Sequence, residues 1–176
     1  MLAKTMYDQI KALNSDVGNL RVSHAAVEFD LLAPSSYIMG LCLENLTMSI
    51  GETLTIRELD VPAQTSTPAR AVENGVELFN EERYWESHES LEAAWRNATN
   101  FERETLQGII LLAASLVHLQ KDEPDVALSI IKRADVKLPQ DGTLYGIDLR
   151  KLKRRVEEIL SASNPSFFKI PVIDEL

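Results

Sequence analysis

The sequence predicts an α+β chain that is mostly α: a C-terminal helical bundle carrying a small N-terminal α/β segment, read as β-α-β. Three observations carry this. Apolar residues recur at three- and four-residue steps from about residue 68 onward, the period of a half-buried helix. Two earlier stretches alternate at strand spacing. Between them Val61-Pro62-Ala63-Gln64-Thr65-Ser66-Thr67-Pro68 has the prolines and small polar residues of a linker. The expected organisation is residues 1–65 as the small α/β segment, 66–163 as the bundle and 164–176 as an extended tail.

In the first segment Met6, Ile10 and Leu13 lie at helical spacing and predict a short helix over 2–14. Leu20, Val22 and His24 alternate, as do Val27, Phe29 and Leu31, which reads as a strand with a break near Ala25–Ala26. Ser35 or Ser36 can cap a helix bearing Ile38, Leu41 and Cys42 on one face. A strand over Tyr37 to Leu43 remains open. Leu54 and Ile56 fall in a second β-rich run, Thr53 to Val61. Two strands alone are marginal, so this piece must pack on the rest of the chain or on a second copy.

In the bundle Val72, Val76 and Phe79 follow Pro68, and Tyr84, His88, Leu91 and Trp95 repeat at steps of four, three and four. Phe101 to Lys121 is a long helix whose centre holds Gly108, Ala113, Ala114 and Ser115, small residues that let helices approach. Pro124 suits a first turn and precedes Ala127, Ile130, Ile131, Ala134 and Leu138. Leu149, Leu152, Val156 and Ile159 mark a last amphipathic helix. Its basic run, Arg150, Lys151, Lys153, Arg154 and Arg155, reads as a solvated face with Glu157 and Glu158 in pairing reach. The tail holds Phe167, Phe168, Ile170, Val172 and Ile173 with Pro165 and Pro171. It is too apolar for a free terminus and predicts an extended segment docked on its own bundle or on a sheet edge.

Composition narrows the function classes. The chain has 176 residues, a net charge of −9 and a pI near 4.9, which argues against nucleic acid as a partner. One cysteine, Cys42, excludes an intramolecular disulfide and disfavours a Cys-based zinc site. The strongly apolar run Ile109 to Val117 is far shorter than the roughly 20 residues of a membrane span. The expectation is a cytoplasmic protein without a membrane partner, working as a homodimer.

One constellation carries chemistry. With His88 at zero on a helical wheel, Tyr84 lies at about −40°, Leu91 at about −60°, Trp95 at about −20° and Glu92 at about +40°. An apolar stripe therefore contains a histidine and a glutamate, with Glu89 and Trp85 at its edge. On the next helix Gln107 and His118 are about 20° apart, and Arg103 continues that face. An antiparallel pairing of these helices brings the two polar sets together. Three readings stay open. The first is a buried, hydrogen-bonded His–Glu–Gln network that fixes helix register. The second is a small-molecule pocket, hydrolase-like, with His88 as base, Glu89 or Glu92 orienting it, and Tyr84, Trp85 and Trp95 as aromatic walls. The third is a divalent metal held by His88, Glu92 and His118, although the spacing is neither HExxH nor Glu-x-x-His.

Leu78-Phe79-Asn80, Tyr84-Trp85-Glu86-Ser87-His88-Glu89, Leu91-Glu92, Trp95-Arg96, Leu106-Gln107-Gly108-Ile109-Ile110 and His118 occur in that order. Together they resemble the bacterial and archaeal family catalogued as domain of unknown function 309, over about residues 68–145. The resemblance implies a small all-helical bundle without an established activity. Its polar motif positions fall on Asn80, Glu86, His88, Glu89, Glu92, Gln107 and His118. The sequence departs from the family at Glu82, where the family often has Gly, and at Ser87, where Ala is usual. More loosely, Phe79 followed five residues on by Tyr84 is similar to a tetratricopeptide helix-turn-helix. A repeat array needs about three copies and one clear copy is seen, so the non-enzymatic alternative is a helix-hairpin interaction or assembly module.

Overall fold

The computed structural model describes residues 17–22, 27–49 and 67–173, with positions 8, 52 and 56 besides. The chain divides into two compact units, Met1–Thr65 and Ser66–Leu176.

In the first unit β1 (Val17–Val22) pairs antiparallel with β2 (Val27–Leu31), Val17 opposite Leu31 and Val22 opposite Val27. The break expected near Ala25–Ala26 thus separates two strands that pair with each other. The register shift lies earlier, between Gly18 and Arg21, where Asn19 takes φ 49°. Arg21 is buried against Glu28 at 3.2 Å and Asp30 at 3.6 Å. The helical alternative holds for the next segment: α1 runs Ser36–Ser49, and Ser35 Oγ accepts from the Ile38 amide at 3.3 Å. Leu46 joins Val17 and Leu20 in a small core. Of the helix expected over 2–14 only Asp8 is described, as helical, and of the strand over 53–61 only Ile56, without regular structure; the rest of both fall outside the described residues.

The second unit begins with α2 (Pro68–Asn80), whose Thr67 cap accepts from the Arg70 amide. Then come α3 (Tyr84–Trp95), α4 (Asn100–Gln120), α5 (Pro124–Lys137), β3 (Thr143–Leu144), β4 (Ile147–Asp148) and α6 (Leu149–Ala162). Each helix from α2 to α5 packs on the next, and α5 packs on α6. The core includes Val72, Phe79, Tyr84, Leu91, Leu106, Ile109, Leu116, Ile131, Leu152 and Val156. The α2–α3 approach is close because Gly75 lacks a side chain. A Cβ there would lie 2.7 Å from Leu91 Cγ, and the Ser87 hydroxyl donates to the Gly75 carbonyl at 2.7 Å.

The hairpin α2–α3 is built a second time as α4–α5. In the first turn the Glu82 amide donates to Phe79 O and Arg83 to Leu78 O, with Glu82 at φ 65°. In the second the Asp122 amide donates to Leu119 O and Glu123 to His118 O, with Asp122 at φ 63°. Both are Schellman caps, forty residues apart. The packing residues recur at the same offset: Gly75 and Ser87 correspond to Ser115 and Ala127, and Leu91 and Ala94 to Ile131 and Ala134, all buried. Where the sequence reading finds one hairpin of this kind, the fold has two.

After α6 the chain leaves through Ser163 at φ 49° and runs back over this unit. Phe167 stacks on Tyr84 with centroids 5.9 Å apart, Phe168 lies 5.5 Å from Phe79, and Ile170 is 1% exposed. Val172 bridges antiparallel to Ile147, flanked by hydrogen bonds from the Asp148 amide to Pro171 O (2.9 Å) and from the Ile173 amide to Gly146 O (2.8 Å). The tail is a strap that adds an edge to the β3–β4 hairpin.

Candidate functional site

The motif side chains are best followed along α3. At its start Arg83 forks onto Glu86, Nε to Oε2 at 2.6 Å and Nη2 to Oε1 at 2.7 Å. This bidentate bond raises the Arg83 guanidinium above its ordinary value. Tyr84 is fully buried, packed edge-on to Phe79 at 5.0 Å, and its hydroxyl has no hydrogen-bond partner. Burial pushes the phenol up, with the nearby Glu82 charge adding to it. Trp85 stands on the outer side, 41% exposed, and the His88 ring stacks parallel to it at 5.8 Å. His88 Nδ1 itself is buried and unpartnered. Glu89 is exposed. Glu92 is half-exposed and reaches Arg96, one turn on, at 3.5 Å. At the end of the helix the Arg103 guanidinium covers the Trp95 ring, 3.9 Å from its centroid, and donates to the Trp95 and Ala98 carbonyls. Trp95 Nε1 is buried without a partner.

The residues of the neighbouring helices are placed as follows. Gln107 is partly buried on α4. His118 Nδ1 meets Glu123 Oε2 at 2.6 Å, inside the α4–α5 turn. Asn80 makes a reciprocal pair with the strap: its Nδ2 donates to Ile170 O at 3.1 Å, and the Ile170 amide donates to Asn80 Oδ1 at 2.7 Å. The contacts of three of these side chains are local, with His88 on Trp85, Glu92 on Arg96 and His118 on Glu123. Among the described residues no three His, Cys, Asp or Glu side chains are grouped to hold a metal ion.

Two contributors were not legible as site residues. Gln120, buried, donates from Nε2 to the Glu82 carbonyl at 2.8 Å, tying the end of one hairpin to the turn of the other. Its Oε1 has no partner. Glu123 fixes His118. Both stand at offsets of forty from first-hairpin residues, Asn80 and Arg83, but neither pair keeps its residue type, so the sequence alone carried no signal for them.

Residues 72–130 match the family model described as Domain of unknown function (DUF309). The chain belongs to this family. The DUF309 match runs from α2 into α5 and so takes in both turns of the duplicated hairpin. A crystal structure of a conserved hypothetical protein from Thermus thermophilus is 37% identical over 51% of this chain and 94% of its own length, with a TM-score of 0.44. No curated protein matches the chain. Glu82 stands at φ 65°, in the left-handed region that costs a side chain about 1–2 kcal/mol and glycine almost nothing. Ser87 fits its buried position because its hydroxyl has the Gly75 carbonyl as acceptor.

Proposed function

We propose that this DUF309 chain is a non-enzymatic helical interaction and assembly module, working in the cytoplasm as a homodimer, in which the motif side chains serve the scaffold. The observation that carries this is the duplicated hairpin. Stacked helical hairpins bury a continuous core and present an extended surface, the usual architecture of binding modules. The polar motif residues support it, because their partners are parts of the fold: Asn80 holds Ile170, Glu86 holds Arg83 and His118 holds Glu123.

A second reading rests on a different observation. Tyr84 Oη, His88 Nδ1 and Trp95 Nε1 are three buried polar atoms without partners, spaced four and seven residues apart on one face of α3. Buried polar atoms ordinarily have partners, so this seam favours a small polar ligand, with His88 as a general base. A thermal-shift panel of divalent metals and small metabolites separates the two, run on the wild type and on His88→Leu, the residue the second hairpin carries at 128. The module reading expects no compound whose effect depends on His88. A compound that raises the wild-type Tm by several degrees and leaves His88→Leu unmoved overturns it.

A further inference from the structure

We propose that the strap, residues 166–173, is exchangeable, and that its seat on the helical unit takes the same segment from a second copy of the chain to form a swapped dimer. The seat holds the strap as a binding site holds an extended peptide. Asn80 reads the backbone of Ile170 in both directions. The β4 edge adds the two hydrogen bonds around Val172, the β-addition mode of peptide recognition. Phe167 and Phe168 lie on Tyr84 and Phe79, and Ile170 is buried. None of these contacts depends on which chain supplies the segment.

The connector favours exchange. Between the last turn of α6 and the strap stand Ser163, Asn164 and Pro165. Ser163 is held left-handed at φ 49° to turn the chain back, a strained conformation for a non-glycine residue, and Pro165 cannot extend the helix. In an opened connector Ser163 relaxes to extended backbone. Short strained hinges are the usual route to swapping. In the closed form Arg155 Nη2 donates to Ser166 Oγ at 3.0 Å, a tether close to the hinge. The occupant is a second copy because the strap covers Phe79 and Tyr84, both fully buried. Leaving that seat open exposes two aromatic rings to water, so a strap departs when another replaces it.

The inference deepens the assembly reading and rests on it. Ile147 and Val172 are the non-hydrogen-bonded antiparallel pair, flanked by the 148–171 and 146–173 bonds, with Cα atoms about 4.5 Å apart in such a pair and within disulfide reach. In a Cys42→Ser background, Ile147→Cys and Val172→Cys are introduced together in the full chain. The protein is held at micromolar or millimolar concentration, oxidised gently and run on a non-reducing gel. Exchange gives a reducible covalent dimer whose share rises several-fold with concentration. An internal disulfide at every concentration overturns exchange and leaves the hairpin scaffold to the thermal-shift panel. If the double-cysteine chain does not fold, light scattering of the wild type and of a chain ended after Ser163 gives the same decision: a wild-type dimer lost on truncation supports exchange, and a wild-type monomer or a dimer that survives truncation refutes it.

Discussion

Asn80→Ala removes both hydrogen bonds to Ile170, the Nδ2 bond to its carbonyl and the Oδ1 bond from its amide. Ile170 is 1% exposed, so water does not readily replace either. An unsatisfied buried donor or acceptor costs about 1–3 kcal/mol. Two such groups bring the loss to roughly 2–4 kcal/mol, limited by the strap's freedom to lift off once the remaining contacts no longer repay its ordering. Asn80→Asp keeps the acceptor for the Ile170 amide, loses the donor and sets a carboxylate against a carbonyl, so it should fall between wild type and alanine. Trp85 and Trp95 both sit on α3 and report urea unfolding of this unit by fluorescence. Hydrogen exchange at the Ile170 amide reads the same bond locally. A loss under about 0.5 kcal/mol with unchanged protection of Ile170 would refute the clamp.

Glu82→Gly should stabilise the chain by about 0.5–1 kcal/mol, the relief of the left-handed strain less the entropy glycine gains when unfolded; chemical denaturation measures it, and Asp122→Gly at the matching turn should move the same way. Gly75→Ala should destabilise by about 1–3 kcal/mol, since its Cβ meets Leu91 Cγ at 2.7 Å, and a neutral result would show that α2 and α3 can move apart freely. Burial holds the Tyr84 phenol above its ordinary value, so the folded chain keeps a proton that the unfolded chain releases above about pH 10. Stability from Tyr84 is therefore full below that pH and falls as pH rises, by up to about 1.4 kcal/mol per unit. Tyr84→Phe should remove that part of the alkaline slope, and identical slopes in the two proteins would contradict the burial argument.

The helices were legible because each carries its own signal: Thr67-Pro68 starts α2, Pro124 starts α5, and the apolar steps in α4 and α6 give their buried faces. The small hairpin β3–β4 was not, since two-residue strands are too short to show an alternation. Its Tyr145-Gly146 turn, both at positive φ, was the available clue. Between Val22 and Val27 the sequence lacks a Gly or Asn turn signal, so two pairing strands read as one broken one. The wheel puts Tyr84, His88, Glu92 and Trp95 on one stripe, but rotation alone does not choose partners. Arg96 lies four residues beyond Glu92 and Glu123 five beyond His118, and these local partners take both side chains before the neighbouring helix can. The duplication was hidden because, apart from Ala94 and Ala134, small and large positions recur without identity, as with Gly75 and Ser115 or Leu91 and Ile131.

The claim that the motif residues serve a scaffold rather than a reaction is tested most directly by native mass spectrometry of the wild-type chain, purified without chelator under non-denaturing conditions. The scaffold account predicts species at the chain mass or its integer multiples, the same for wild type and His88→Leu. A stoichiometric extra mass, metal or organic, present on the wild type and missing from His88→Leu, would contradict it and make the seam beside His88 the working site.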